Sequence, residues 1–201
     1  MGQIIDLTAK DGFTFPAYVA EPAGKPKGAV VVVQEIFGVN SHIRSVADGY
    51  AAEGYLAVAP ATFQRVKQGV ELGYTDDDMK AGFALKTAVE ALPAPGVLQD
   101  LQAAVDHAAR AGKVGIVGYC WGGLLTWRAA AEVSVLVHFG NNDHWIPLDT
   151  VDDFKKAHPE VEVHVYECGH GFNCDQRGSY DATAAKLARE RTLAFFGKHV
   201  G

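Results

Sequence analysis

A chain of 201 residues, 48% hydrophobic and 21% charged, has the composition of one globular domain with a sizeable core, and this excludes a disordered chain. A net charge of −6, with no Lys/Arg-rich run, argues against nucleic acid or an anionic membrane surface as the main partner. No apolar run reaches a membrane span, no basic-then-apolar leader opens the chain, and three cysteines fit free thiols in a reducing compartment. The expectation is a soluble cytoplasmic protein, one domain over 1–201.

Residues 3–8 and 13–20 read as short strands joined at Lys10-Asp11-Gly12, a hairpin turn signal, with Pro16 demoting the second to an edge or bulged strand. Gly28-Ala-Val-Val-Val-Val-Gln34 is a continuous β-branched run, the signature of a strand buried on both faces. A helix over 41–53 follows, closed by Gly54, and then a buried strand over 55–59 stopped by Pro60. Residues 61–75 carry no clean period and read as a loop over a pocket. A helix from Asp76 to about Ala91 begins with three acidic residues suited to the helix dipole. After the break at Pro93–Gly96 comes another helix ended by Gly112. A strand over 114–117, a helix over 124–132, a strand over 133–139, a helix over 149–157, a strand over 161–166 and a terminal helix over 179–199 complete the chain. Strands alternating with helices predict a mostly parallel, helix-covered sheet.

The stretch Val114-Gly-Ile-Val-Gly-Tyr-Cys-Trp-Gly-Gly123 has the form of a nucleophile elbow: strand, sharp turn, helix. Its central residue is Cys120, placed at a helix N-terminus where unpaired N–H groups and the dipole favour a thiolate. The plain alternative is a tight turn with a packed thiol. In a parallel sheet, ligands sit outside the carboxyl ends of the strands. Reading off the residues just after each strand gives Glu35, Cys120, Asp143 and His170. The order nucleophile, acid, histidine is that of the α/β-hydrolase triad. Asp143 also suits a simple turn cap, and His170, between Gly169 and Gly171, suits a plain loop. A carboxylate such as Glu35 at the end of a buried apolar strand is costly unless the site uses it or backbone donors satisfy it.

The segments Gln34-Glu-Ile-Phe-Gly38, Gly118-Tyr-Cys-Trp-Gly-Gly123, Asn142-Asp-His144 and Gly169-His-Gly-Phe172 together resemble the dienelactone hydrolase (carboxymethylenebutenolidase) family, nearly end to end. The resemblance implies an α/β-hydrolase fold and a Cys120–His170–Asp143 triad acting on a small lactone or ester. It further implies that Glu35 contacts the resting thiol and takes its proton when substrate binds. The oxyanion would be held by the backbone N–H groups of Ile36 and Trp121. Two departures stand out. About one βα unit is missing between the nucleophile helix and the acid-bearing strand, at Glu132-Val133, which would set the Asp143 strand beside the nucleophile strand. The family's substrate arginine after the histidine falls on Cys174, leaving Arg177 as the nearest guanidinium and Arg65 in the covering loop. Phe37, Trp145 and Phe172 are candidate pocket walls.

No cofactor or metal is expected, and the partner is a small-molecule substrate, with the chain a monomer or weak dimer. Cys168, His170, Cys174 and Asp175 match no structural zinc spacing. A thiol redox or sensing role is the alternative reading, weakened by the lack of a Cys-x-x-Cys pair. So is a ligand binder on the same fold without turnover.

Overall fold

The computed structural model describes residues 2–130 and 134–201. Residues 131–133 lie outside the described residues, and with them the join at 132–133 and the start of the strand expected from 133. The chain divides into two compact units, Met1–Ala129 with Val200–Gly201, and Ala130–His199. The boundary falls close to where the sequence runs short.

The first unit is built on a five-stranded sheet of order β1-β2-β4-β3-β5. Its strands are β1 (Gln3–Thr8), β2 (Thr14–Ala20), β3 (Ala29–Val33), β4 (Leu56–Pro60) and β5 (Val114–Gly118). The first two form the expected antiparallel hairpin, β2 pairs antiparallel with β4, and β3 runs parallel to both β4 and β5. The β-branched run of β3 is wholly inaccessible, as its composition predicts. Each such buried valine contributes roughly 1.5–3 kcal/mol of hydrophobic stabilisation. Around the sheet lie α1 (Ser41–Ala52), α2 (Asp76–Glu90), α3 (Leu98–Ala108) and α4 (Trp121–Ala129). Asn40 caps α1 by accepting from the Ile43 N–H, and a reciprocal capping box between Thr75 and Asp78 starts α2.

Pro16 departs from expectation. It lies in an inner strand, paired with Asp6 on β1, and is tolerated because the β4 ladder begins only at Ala17. Its carbonyl accepts from the Ala61 N–H, so the proline sits at the margin of that pairing.

The second unit holds a two-stranded parallel sheet, β6 (Leu136–Gly140) and β7 (Glu162–Tyr166), with α5 (Leu148–Ala157) and α6 (Ala182–His199). The terminal helix starts three residues later than its periodicity suggests, because Asp181 accepts from the Ala184 N–H and caps it there. Among the described residues β5 pairs along one edge, with β3, and β6 along one edge, with β7. β5 is half-buried along its length, and β6 is half-buried as far as Phe139.

Candidate active site

In the first unit β5 leads through Tyr119 and Cys120 directly into α4, which begins at Trp121, earlier than the sequence pattern indicates. Among the described residues Cys120 is the single non-glycine with positive φ, at 54°. For an L residue that conformation is strained, and tight local structure must hold it. Here the turn is held by hydrogen bonds from Tyr119 N to Val33 O at 3.2 Å, Gly122 N to Tyr119 O at 2.8 Å and Gly123 N to Cys120 O at 3.0 Å. A Cβ on Gly122 would run into the backbone oxygens of Val33 and Gln34, so this glycine is required by close approach of the helix to the end of β3. The elbow therefore presses on the segment that carries Glu35. Cys120 itself is exposed, whereas Cys168 and Cys174 are buried.

Glu35 and Ile36 follow β3 and are buried, with 2% and 3% of their surface accessible. Glu35 Oε2 accepts from the Tyr74 hydroxyl at 3.1 Å, and Asn40 Nδ2 donates to that hydroxyl at 3.3 Å. A ring nitrogen of buried His42 lies within 4.8 Å of a Glu35 carboxylate oxygen. The covering stretch 61–75 is fastened to this segment along its length. Thr62 N donates to Gln34 Oε1, Leu72 N to Phe37 O, and Asn40 Nδ2 to Leu72 O. Phe37 is 1% exposed and meets Tyr74 edge to face at 4.6 Å, so it serves the core beneath the loop. The sequence reading missed the roles of Tyr74 and His42. The Thr75–Asp78 box was the available signal for Tyr74, since it fixes where α2 starts and so places the preceding residue at its entrance.

Arg65 is engaged elsewhere. Its guanidinium donates to Asp100 at 2.8 and 2.6 Å and to Asp11 at 2.8 and 3.1 Å, while lying 4.3 Å from the Phe13 ring centroid. Burial pushes the Asp100 carboxyl up, against the pull of Arg65. Four of five N–H donors are thus committed to structural carboxylates, and this geometry lends a substrate role no support.

In the second unit, Asp143 and His170 meet. Asp143 is 8% exposed, and its Oδ2 lies 2.7 Å from His170 Nδ1, while its Oδ1 accepts from the N–H groups of Trp145 and Ile146 at 2.8 and 3.1 Å. One oxygen caps the turn and the other meets the imidazole. With a carboxylate on Nδ1, the proton sits there and Nε2 carries the basic lone pair. The Arg177 guanidinium packs against Gly171, the residue after His170. Phe172 is buried in a small core with Tyr166, whereas Trp145 is 63% exposed.

A thiol on a strained strand-to-helix turn, in a chain that also carries a carboxylate-oriented histidine after a later strand, is the arrangement of an α/β-hydrolase. A model of the dienelactone hydrolase family matches the chain in two pieces, residues 15–135 and 129–200, which overlap where the βα unit is short. The carboxymethylenebutenolidase of Pseudomonas putida is 33% identical over 225 aligned positions, covering 95% of this chain and 94% of the relative. A Klebsiella pneumoniae protein provisionally assigned as a dienelactone hydrolase superposes with a TM-score of 0.85 at 31% identity, over 99% of each chain. The dienelactone hydrolase of Anabaena variabilis shares the fold, with a TM-score of 0.70 at 14% identity. The chain belongs to the dienelactone hydrolase family, and its relatives mark it as a hydrolase of that type. No helix among the described residues is long and apolar enough to cross a membrane.

Proposed function

We propose that the protein opens a small lactone, or cleaves a comparable ester, through a thioester acyl-enzyme formed on Cys120. The observation that carries this reading is the strained thiol at the head of α4, a conformation the fold maintains at a cost of about 1–3 kcal/mol. In the resting enzyme Glu35 masks the thiol, since a nearby carboxylate disfavours a thiolate. When substrate turns that carboxylate, Glu35 takes the thiol proton and the sulfur attacks the carbonyl carbon. The N–H groups of Ile36 and Trp121 hold the oxyanion. Collapse of the tetrahedral intermediate breaks the carbon–oxygen bond of the ring, and the leaving oxygen takes the proton held by Glu35. His170, oriented by Asp143, then removes a proton from water as it attacks the thioester. The sulfur leaves and takes back the proton from His170, so the balance is one water consumed and one carboxylic acid and one hydroxyl group formed.

The relatives' name, carboxymethylenebutenolidase, points to a lactone bearing a carboxylate. Arg177, packed beside the His170 loop, is the candidate to hold that group in this chain, while Trp145 and Phe172 remain candidate apolar contacts.

The test is hydrolysis of an aryl ester and of a dienelactone by wild type and Cys120→Ala, with and without one equivalent of iodoacetamide. Turnover that disappears in the variant and in alkylated wild type supports the proposal. Equal turnover by wild type and Cys120→Ala overturns it. Reversible oxidation of Cys120 without ester turnover favours the sensing role instead. Arg177→Ala is expected to raise KM for the carboxylate-bearing lactone and leave the neutral ester unchanged.

A further inference from the structure

The helix that follows the covering loop touches two residues of the proposed site, and the residue just before its cap touches a third. Tyr74, at its entrance, donates to Glu35. Two turns into α2, Gly82 is buried against the peptide of Ile36: a Cβ there would lie 2.5 Å from the Ile36 carbonyl oxygen, and 3.0 and 3.1 Å from its Cγ1 and Cδ1. At the last residue of α2, Glu90 Oε1 accepts from the Trp121 indole at 3.1 Å, and Glu90 Oε2 accepts from Lys86 at 2.8 Å. Gly82, Lys86 and Glu90 are spaced four apart and form one strip of the helix. The Trp121 ring is clamped on its other side by Phe63, stacked at 5.2 Å with an interplanar angle of 10°, and is 3% exposed.

A glycine in a helix interior is destabilising relative to alanine by roughly 0.5–1 kcal/mol, so its presence calls for a packing reason. The reason here is close contact with the Ile36 carbonyl oxygen, nearer than its side-chain carbons. A half-buried carboxylate already paired with a lysine has no need of an indole partner either. Lys86 and the indole offset the burial that opposes ionisation of Glu90, and hold its carboxyl below the usual range.

We infer that α2 is the brace of the oxyanion hole: Gly82 and Glu90 are positioning residues that set the Ile36 carbonyl and side chain, one peptide unit on from its N–H, and the ring of Trp121, and through them the two N–H groups that receive the developing charge. The inference rests on the reaction proposed above. It goes further in assigning the accuracy of both donors, which lie on different strand ends, to one helix. Oxyanion stabilisation depends on donors fixed in advance of the charge, so a small displacement of either peptide reduces turnover without changing the reactivity of the thiol.

The experiment measures kcat and KM for an aryl ester, together with the rate at which iodoacetamide alkylates Cys120, a displacement at carbon that needs no oxyanion hole. Gly82→Ala is expected to lower kcat by about 10- to 100-fold, with KM and the alkylation rate within about twofold of wild type. Glu90→Leu should lower kcat by roughly 3- to 10-fold, while Glu90→Gln, which still offers the indole an oxygen, recovers most of it. Should Gly82→Ala fail to fold, the Glu90→Leu and Glu90→Gln pair decides the matter by itself. Wild-type kcat in Glu90→Leu, or alkylation that falls in step with kcat, overturns the brace. Cys120→Ala serves as the control. If it turns over like wild type, the hydrolase reading fails and the brace with it; if it is inactive while the α2 variants keep full kcat, the brace alone fails.

Discussion

The two units of the chain hold their functional groups by different means. In the first, a five-stranded sheet with a fully buried inner strand beside the elbow's own supports it, and the groups around Cys120 are set by backbone contacts and close packing. In the second, two half-buried strands carry Asp143 and His170, and the interior is knit by polar side chains. His138 on β6 bonds Tyr166 at 2.8 Å and Thr192 at 3.0 Å, and Arg191 donates to the same tyrosine at 3.1 Å. A hydrophobic core is indifferent to pH, whereas a buried histidine network is not. The proposed nucleophile thus sits on the more uniformly stabilised scaffold and the base on the more conditional one.

The largest test of this contrast is chemical. His170→Ala should lower kcat/KM by roughly 10³- to 10⁵-fold. Its circular dichroism and melting should stay close to wild type, because the imidazole bonds a carboxylate that remains engaged with its own turn. A variant that loses its fold as well as its turnover would mean that the catalytic pair also holds the second unit together.

Next in size is Arg65→Ala. Asp100 is 1% exposed at its side chain and depends on this guanidinium, so removal leaves a buried carboxylate without its counter-charge and costs roughly 3 kcal/mol in urea unfolding. A weakened KM with unchanged stability would restore the substrate role. This arginine shows where sequence reasoning stops. The alternation of strands and helices, the elbow and the histidine loop are local patterns, and they were legible. The partners of Arg65 lie 54 and 35 residues away at Asp11 and Asp100, and no local period points to either. Gly82 is a similar case, since a glycine in a helical pattern announces a close approach without naming what approaches. Pro16 was misjudged because the rule confining proline to edges overlooks a strand whose second ladder starts one residue later. The shortage near 132–133 is visible in the sequence as a count.

Acidification should separate the two units. Burial, then His164 and Arg191, pushes His138 down to about 4, with Glu162 pulling weakly the other way. The folded state therefore takes up this proton only near pH 4, while the unfolded chain takes it up near 6.5. Stability is full above that value and is lost as the pH falls from 6.5 toward 4, by about 3 kcal/mol in all. Urea unfolding followed across this window should show the loss, and His138→Gln should flatten it. An unaltered slope in the variant would place the acid sensitivity on another group.

The smallest effect belongs to the cap of α2. Thr75 Oγ1 accepts from the Asp78 N–H at 3.2 Å, and Asp78 Oδ2 accepts in return from the Thr75 N–H at 3.1 Å, an exposed box that satisfies two donors at the helix start. Thr75→Ala should destabilise the chain by about 1 kcal/mol. Because fraying reaches only the first turn, Gly82 stays seated against Ile36, and kcat should remain within about twofold of wild type. The comparison between the units turns on that number. If stability in the first unit is spread over its buried sheet, one exposed cap matters little beside one buried histidine in the second. Equal losses from Thr75→Ala and from protonating His138 would mean that the first unit also rests on a few polar contacts, and that the elbow is no better supported than the base.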